Sequence, residues 1–86
     1  MHYVYIIRCN DGTLYCGYTL DIKRRVAEHN EGKGAHYTKH RGPVRLVYSE
    51  KLSSKRKALQ REMEIKKMSR KEKFELIGVD EKKSSM

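Results

Sequence analysis

Residues 3–19, YVYIIRCNDGTLYCGYT, constrain the fold more than any other stretch. Tyr3-Val4-Tyr5-Ile6-Ile7 is a run of β-branched and aromatic residues of the kind a pleated strand favours, and Leu14 to Leu20 is a second. Between them, Asn10-Asp11-Gly12-Thr13 supplies residues that tolerate positive φ, so the two runs read as a β-hairpin. Four of the six tyrosines lie in these seventeen residues. Parity limits how the hairpin can close, because successive side chains alternate faces and paired residues share one. A two-residue Asp11-Gly12 loop would put Tyr5 and Tyr15 on opposite faces. A three-residue loop, or one bulge, puts them on the same face, and this is the expected arrangement.

At 86 residues the chain makes one domain of modest stability, over residues 1–78, with residues 79–86 expected as a frayed tail. No apolar run is long enough to span a membrane, and none has the shape of a signal peptide. Cys9 and Cys16 fit neither a disulfide framework nor a zinc spacing, and are expected as buried, reduced thiols in a cytoplasmic protein. Twenty Lys and Arg against eleven Asp and Glu leave a formal charge of +9. A small domain this basic usually meets phosphate backbones, although solubility alone explains part of the excess.

Asp21 caps a helix expected over about residues 22–30, with Ile22 and Val26 as the apolar pair holding it to the sheet. Arg25 and His29 form a second i, i+4 pair at the edge of that buried face. Lys23 and Arg24 lie on the solvent side as candidate phosphate contacts. A basic, glycine-punctuated loop follows, in which Lys33, Lys39 and Arg41 read as a phosphate-contacting arm or as a merely solvated segment. The three histidines His29, His36 and His40 match no zinc pattern. Val44, Leu46 and Tyr48 then alternate with Arg45, Val47 and Ser49 as a third strand. Ser53 or Ser54 caps a helix to about Met68, and Ser69-Arg70-Lys71-Glu72 is a capping box for a third helix that ends at Gly78.

Glu62 is out of place in the second helix. At about 100° per residue it lies roughly 40° from Ala58, inside the arc of Ala58, Leu59, Met63 and Ile65. A carboxylate in such a position calls for a partner. A salt bridge to Arg25 is one; a divalent cation that accepts a single carboxylate and keeps its waters is the other.

Tyr5, Tyr15 and Arg25 stand ten residues apart, with Gly17 two after the second tyrosine. With Tyr3-Val4-Tyr5, Tyr15-Cys16-Gly17, Gly17-Tyr18-Thr19, His29 and Glu62, this set resembles the GIY-YIG nuclease superfamily over roughly residues 3–77, in the form of its small stand-alone members. Tyr3 replaces the first glycine of the signature and Cys16 replaces an isoleucine. The resemblance implies an α/β (α+β) domain, a three-stranded antiparallel sheet flanked by helices. It also implies metal-dependent endonuclease-like hydrolysis of DNA phosphodiesters, with little sequence preference. In that reading Tyr5, Tyr15, Arg25, His29 and Glu62 are catalytic, Glu62 holds one Mg²⁺ or Mn²⁺, and Gly17 and Thr19 are structural. Either tyrosine could assist the attacking water. The competing expectation is a module that binds branched or single-stranded nucleic acid and cuts it feebly or not at all, with a protein partner.

Overall fold

The computed structural model describes residues 1–32 and 43–78. Three strands, β1 (His2–Arg8), β2 (Leu14–Thr19) and β3 (Arg45–Leu52), form an antiparallel sheet in the order β2-β1-β3. Three helices complete the fold, α1 (Ile22–Asn30), α2 (Lys55–Lys66) and α3 (Arg70–Ile77). The expected architecture of a three-stranded sheet flanked by helices is the one observed.

The hairpin closes through the three residues Asn10, Asp11 and Gly12. The Cys9 amide donates to Thr13 O at 2.8 Å, and the Gly12 amide donates to Cys9 O at 2.9 Å. Gly12 takes φ +85°, which a side chain would resist. The Asp11 carboxylate fixes the far side of the turn by accepting from the Thr13 amide and hydroxyl at 3.0 and 2.6 Å. The resulting register sets Tyr5 opposite Gly17 and Ile7 opposite Tyr15, so both phenols share a face.

The opposite face belongs to α2 and α3. There Val4, Ile6 and Cys16 pack on Ala58 and Ile65, with Tyr48, Met68, Leu76 and Ile77 around them. The face bearing the phenols is covered by α1, and its core is Tyr5, Ile7, Cys9 and Val44, with Tyr15 and Val26 against it. Both cysteines are buried and free.

Each helix starts on the residue the sequence marks. Asp21 accepts from the Arg24 amide at 3.1 Å and Ser54 from the Lys57 amide at 3.2 Å. Ser69 and Glu72 form the reciprocal capping box, and α3 ends on Gly78 in the left-handed conformation. Two boundaries shift. Strand β3 runs on to Leu52 rather than stopping at Ser49, with a register shift between Ile6 and Ile7 where it pairs with β1. Helix α2 ends at Lys66, two residues before Met68. The basic-loop residues Lys33, His36, Lys39, His40 and Arg41, and the tail from 79 to 86, lie outside the described residues. No helix among the described residues is long and apolar enough to cross a membrane.

Candidate active site

Tyr5 sits on the central strand and is 1% exposed, packed into the α1-side core with only its hydroxyl turned to polar partners. It lies across Gly17 of the neighbouring strand, so closely that a Cβ there would stand 2.6 Å from Tyr5 Cζ. Glycine at position 17 is therefore a requirement of the ring's path across the sheet. Beyond it, the phenol oxygen lies 2.8 Å from His29 Nε2 and accepts from Arg25 Nε at 3.4 Å. An arginine Nε–H can only donate, which leaves the phenol's own proton for a neutral imidazole. The Tyr15 ring meets His29 edge-on at 5.4 Å between centroids, while that of Tyr5 is tilted at 5.8 Å. Two strands and one helix thus bring Tyr5, Tyr15, Arg25 and His29 together.

The electrostatics follow from burial. Burial, only partly offset by Arg25, pushes the Tyr5 phenol up to about 12. Burial and then the Arg25 charge hold His29 below the ordinary imidazole range, so it is neutral at physiological pH. His29 is 1% exposed and the one buried residue of α1, while Ile22 and Val26 are half-buried. The histidine was expected at the rim of this face and lies at its centre. Arg25 remains about a third exposed, and its Nη1 pairs with Glu28 Oε1 at 3.2 Å.

Glu62 belongs to the other layer and is not among the groups that meet at Tyr5. It lies on α2 with its side chain 17% exposed, paired to Lys66 at 3.5 Å. Its carboxylate is near enough to Cys16 to add to burial in pushing that thiol up to about 11. Among the described residues Glu62 pairs with Lys66 and Arg25 with Glu28, so the Arg25–Glu62 bridge weighed from sequence does not form. No group of three His, Cys, Asp or Glu that could hold a metal occurs among the described residues. One half-sheltered carboxylate still fits a hard divalent ion that keeps most of its water shell.

Supporting residues complete the picture. Thr19 is buried, and its hydroxyl accepts from the Asp21 amide at 3.1 Å and donates to Asp21 O at 3.2 Å, setting the start of α1. Lys23 and Arg24 are exposed on α1. Sequence reasoning missed Asn30, whose side chain accepts from the Val44 amide at 2.6 Å and donates to Val44 O at 3.2 Å. That clamp fixes the chain entering β3 against the last turn of α1. An asparagine at a helix end carries no signal of a partner fourteen residues away. Glu28 was also missed, although its i, i+3 spacing from Arg25 is visible in the sequence.

Comparison with known proteins places the chain in a family. Residues 1–75 match the GIY-YIG catalytic domain. The chain belongs to the GIY-YIG family, a family of nucleases that act on DNA and generally depend on a divalent metal. It is 55% identical over 77 residues to a UPF0213 protein of Staphylococcus saprophyticus, covering 90% of this chain and 94% of that one. It is 56% identical over 77 residues to one of Halobacterium salinarum, covering 90% of this chain and all of the other. Among solved structures, the solution structure of a UPF0213 protein from Bacillus halodurans superposes with a TM-score of 0.60 at 49% identity, over 90% of this chain and 82% of that one. A protein of E. faecalis gives 0.61 at 39% identity, with the same coverage.

Proposed function

We propose that this protein is a metal-dependent endonuclease that hydrolyses DNA phosphodiesters with little regard for sequence. The observation that carries the reading is the Tyr5–His29–Arg25 constellation beside Tyr15. An apolar fold has no use for a phenol, an imidazole and a guanidinium sharing one buried hydrogen-bond system, and such systems gather at functional sites.

The two tyrosines take different parts. Tyr5 is fully buried and, with its phenol near 12, holds its proton too firmly to serve as a base. It is a positioning residue that orients Arg25 and His29. Tyr15 is half-buried, less deeply set than Tyr5, and is the phenol assigned to the attacking water. The exposed edge of Arg25 clamps the phosphoryl oxygens as charge develops on them. The attacking water's oxygen bonds to phosphorus as the bond to the leaving oxygen breaks. The water's proton crosses to Tyr15 Oη, which gives up its own to solvent, and the leaving oxygen takes a proton from solvent. Glu62 would hold the Mg²⁺ or Mn²⁺, which when bound supplies positive charge at the scissile phosphate and leaving oxygen. Lys23 and Arg24, with Lys33, Lys39 and Arg41 from the basic loop, would meet neighbouring phosphates.

The test is cleavage of duplex, flap and junction DNA with and without Mg²⁺ or Mn²⁺. Tyr15→Phe, Arg25→Ala and Glu62→Gln should each lower the rate at least a hundredfold, with DNA binding retained for Tyr15→Phe. Wild-type rates in Tyr15→Phe would remove the role given to that phenol. A second reading, a module that binds nucleic acid and cuts feebly or only with a partner protein, is favoured by one feature: Glu62 is tied to Lys66 in the opposite layer. Steeply salt-dependent binding with no cut product in any metal would decide for it.

A further inference from the structure

We propose that the hollow between Arg8 and Arg45, at the turn end of the sheet, is a second phosphate-binding site. It would grip the nucleic-acid backbone away from the bond that is cut. Arg8 ends β1, Arg45 begins β3, and the two are direct partners in the register, so both side chains leave from one face. Like charges set opposite each other across strands are destabilising, and among the described residues neither has a carboxylate partner. The arrangement becomes favourable once an anion lies between them.

Two further observations point to a ligand. The guanidinium of Arg8 is laid over the Phe74 ring at 5.7 Å, and Arg70 lies over the same ring at 4.8 Å. Held over the ring, the Arg8 guanidinium is restrained in position without a carboxylate among the described residues taking its N–H groups, which favours two-point phosphate binding. Arg8 and Arg45 both line an open hollow of about 340 Å³, bounded by Asn10 and Gly12 of the turn and by Pro43. The carboxylate of the turn, Asp11, is engaged by the Thr13 amide and hydroxyl.

The position suits a backbone that also reaches the candidate active site. Arg8 is three residues beyond Tyr5 on the same strand, roughly 10 Å at about 3.3 Å per residue. It points to the opposite face, so a strand held there must pass around the turn end of the sheet. This placement rests on the DNA reading above, but the anion site can be tested without it.

Inorganic phosphate, and then a short DNA duplex, would be titrated without metal while the Nε–H signals of Arg8, Arg45 and Arg25 are followed by NMR. Duplex affinity would be measured across a salt series for the wild type and for Arg45→Gln, an exposed change that spares the Phe74 stack. The expected result is movement of the Arg8 and Arg45 signals with both probes. The slope of log affinity against log salt should become shallower by about 0.9 in Arg45→Gln, the loss of one phosphate contact. An unchanged slope, with Arg8 and Arg45 signals still in the presence of duplex, overturns the proposal. So does movement of those signals with phosphatidylglycerol vesicles but not with duplex. If the duplex does not bind at all, the nuclease reading fails, and inorganic phosphate alone decides the anion site: shifts at Arg8 and Arg45 keep it, and none remove it.

Discussion

Beneath α2 and α3 the sheet buries Val4, Ile6 and Cys16 against Ala58 and Ile65, hydrocarbon and thiol against hydrocarbon. Beneath α1 it buries a phenol and an imidazole, and the sole buried residue that helix contributes is His29. Apolar burial stabilises by roughly 25 cal/mol per Å², whereas a buried polar pair must first recover its lost hydration. The face under α2 and α3 therefore carries the stability, and the face under α1 holds groups in place. Substitutions on the two faces should separate along the same line.

The largest stability effect belongs to the apolar face. Ile65→Ala removes a fully buried side chain and should cost about 2–5 kcal/mol, read from urea unfolding. The folded fraction should bind DNA with unchanged affinity; a loss of affinity beyond the loss of folded protein would break the division of labour.

Gly17→Ala comes next and should damage both properties. The added methyl meets the buried Tyr5 ring, a rigid neighbour with nowhere to swing, so about 1–3 kcal/mol of overpacking is expected. The ring must also leave its place between His29 and Arg25. A crystal structure or NOE pattern with Tyr5 Oη still on His29 Nε2 would refute the account of why glycine stands here.

Tyr5→Phe keeps the ring and deletes the oxygen. It should cost about 1–2 kcal/mol, because His29 Nε2 loses its buried partner. Thermal unfolding against pH should then show two windows. The folded chain holds the Tyr5 proton to about 12 and the unfolded chain only to 10.0, so stability falls as pH climbs between them, and Tyr5→Phe abolishes that contribution. His29 works at the other end. Its folded value is depressed, so the unfolded chain binds more protons just below 6.5, and stability falls as pH drops from there through the folded value. His29→Gln should flatten that limb; an unchanged acid limb would mean His29 is not the group responsible.

Much of this arrangement was legible in the chain before any coordinates. The parity argument placed Tyr5 and Tyr15 on one face, because pleating and a three-residue loop leave no other outcome. Asp21, Ser54 and the Ser69–Glu72 box marked helix starts, since capping is local chemistry. The partners of the polar groups were not legible. Helical phase located Glu62 on a partly sheltered arc but could not choose its partner, and the bond that forms is the local one to Lys66. The depth of His29 was missed because an imidazole reads as amphipathic, and only the path of Tyr5 across Gly17 shows why it is drawn inward. The Asn30–Val44 clamp and the Arg8–Arg45 pairing arise from strand order, which short-range patterns do not encode.

The smallest effect tests how ready the α1 face is for substrate. Arg25 spends one guanidinium edge on Tyr5 and part of another on Glu28, and that second pair is about a third exposed at each end. A pair so open to water contributes about 0.2–1 kcal/mol and weakens with salt. A phosphate approaching Arg25 must displace the Glu28 carboxylate or accommodate its charge nearby. Glu28→Gln should therefore leave the unfolding free energy within about 0.5 kcal/mol of wild type, as surface changes usually do. DNA binding at low salt should tighten about two- to fivefold, the equivalent of that pair, and the gain should fade as salt rises. Equal affinities at low salt, measured by anisotropy on the same duplex, would mean that Arg25 does not meet the backbone, and the α1 face would lose its claim to the phosphate.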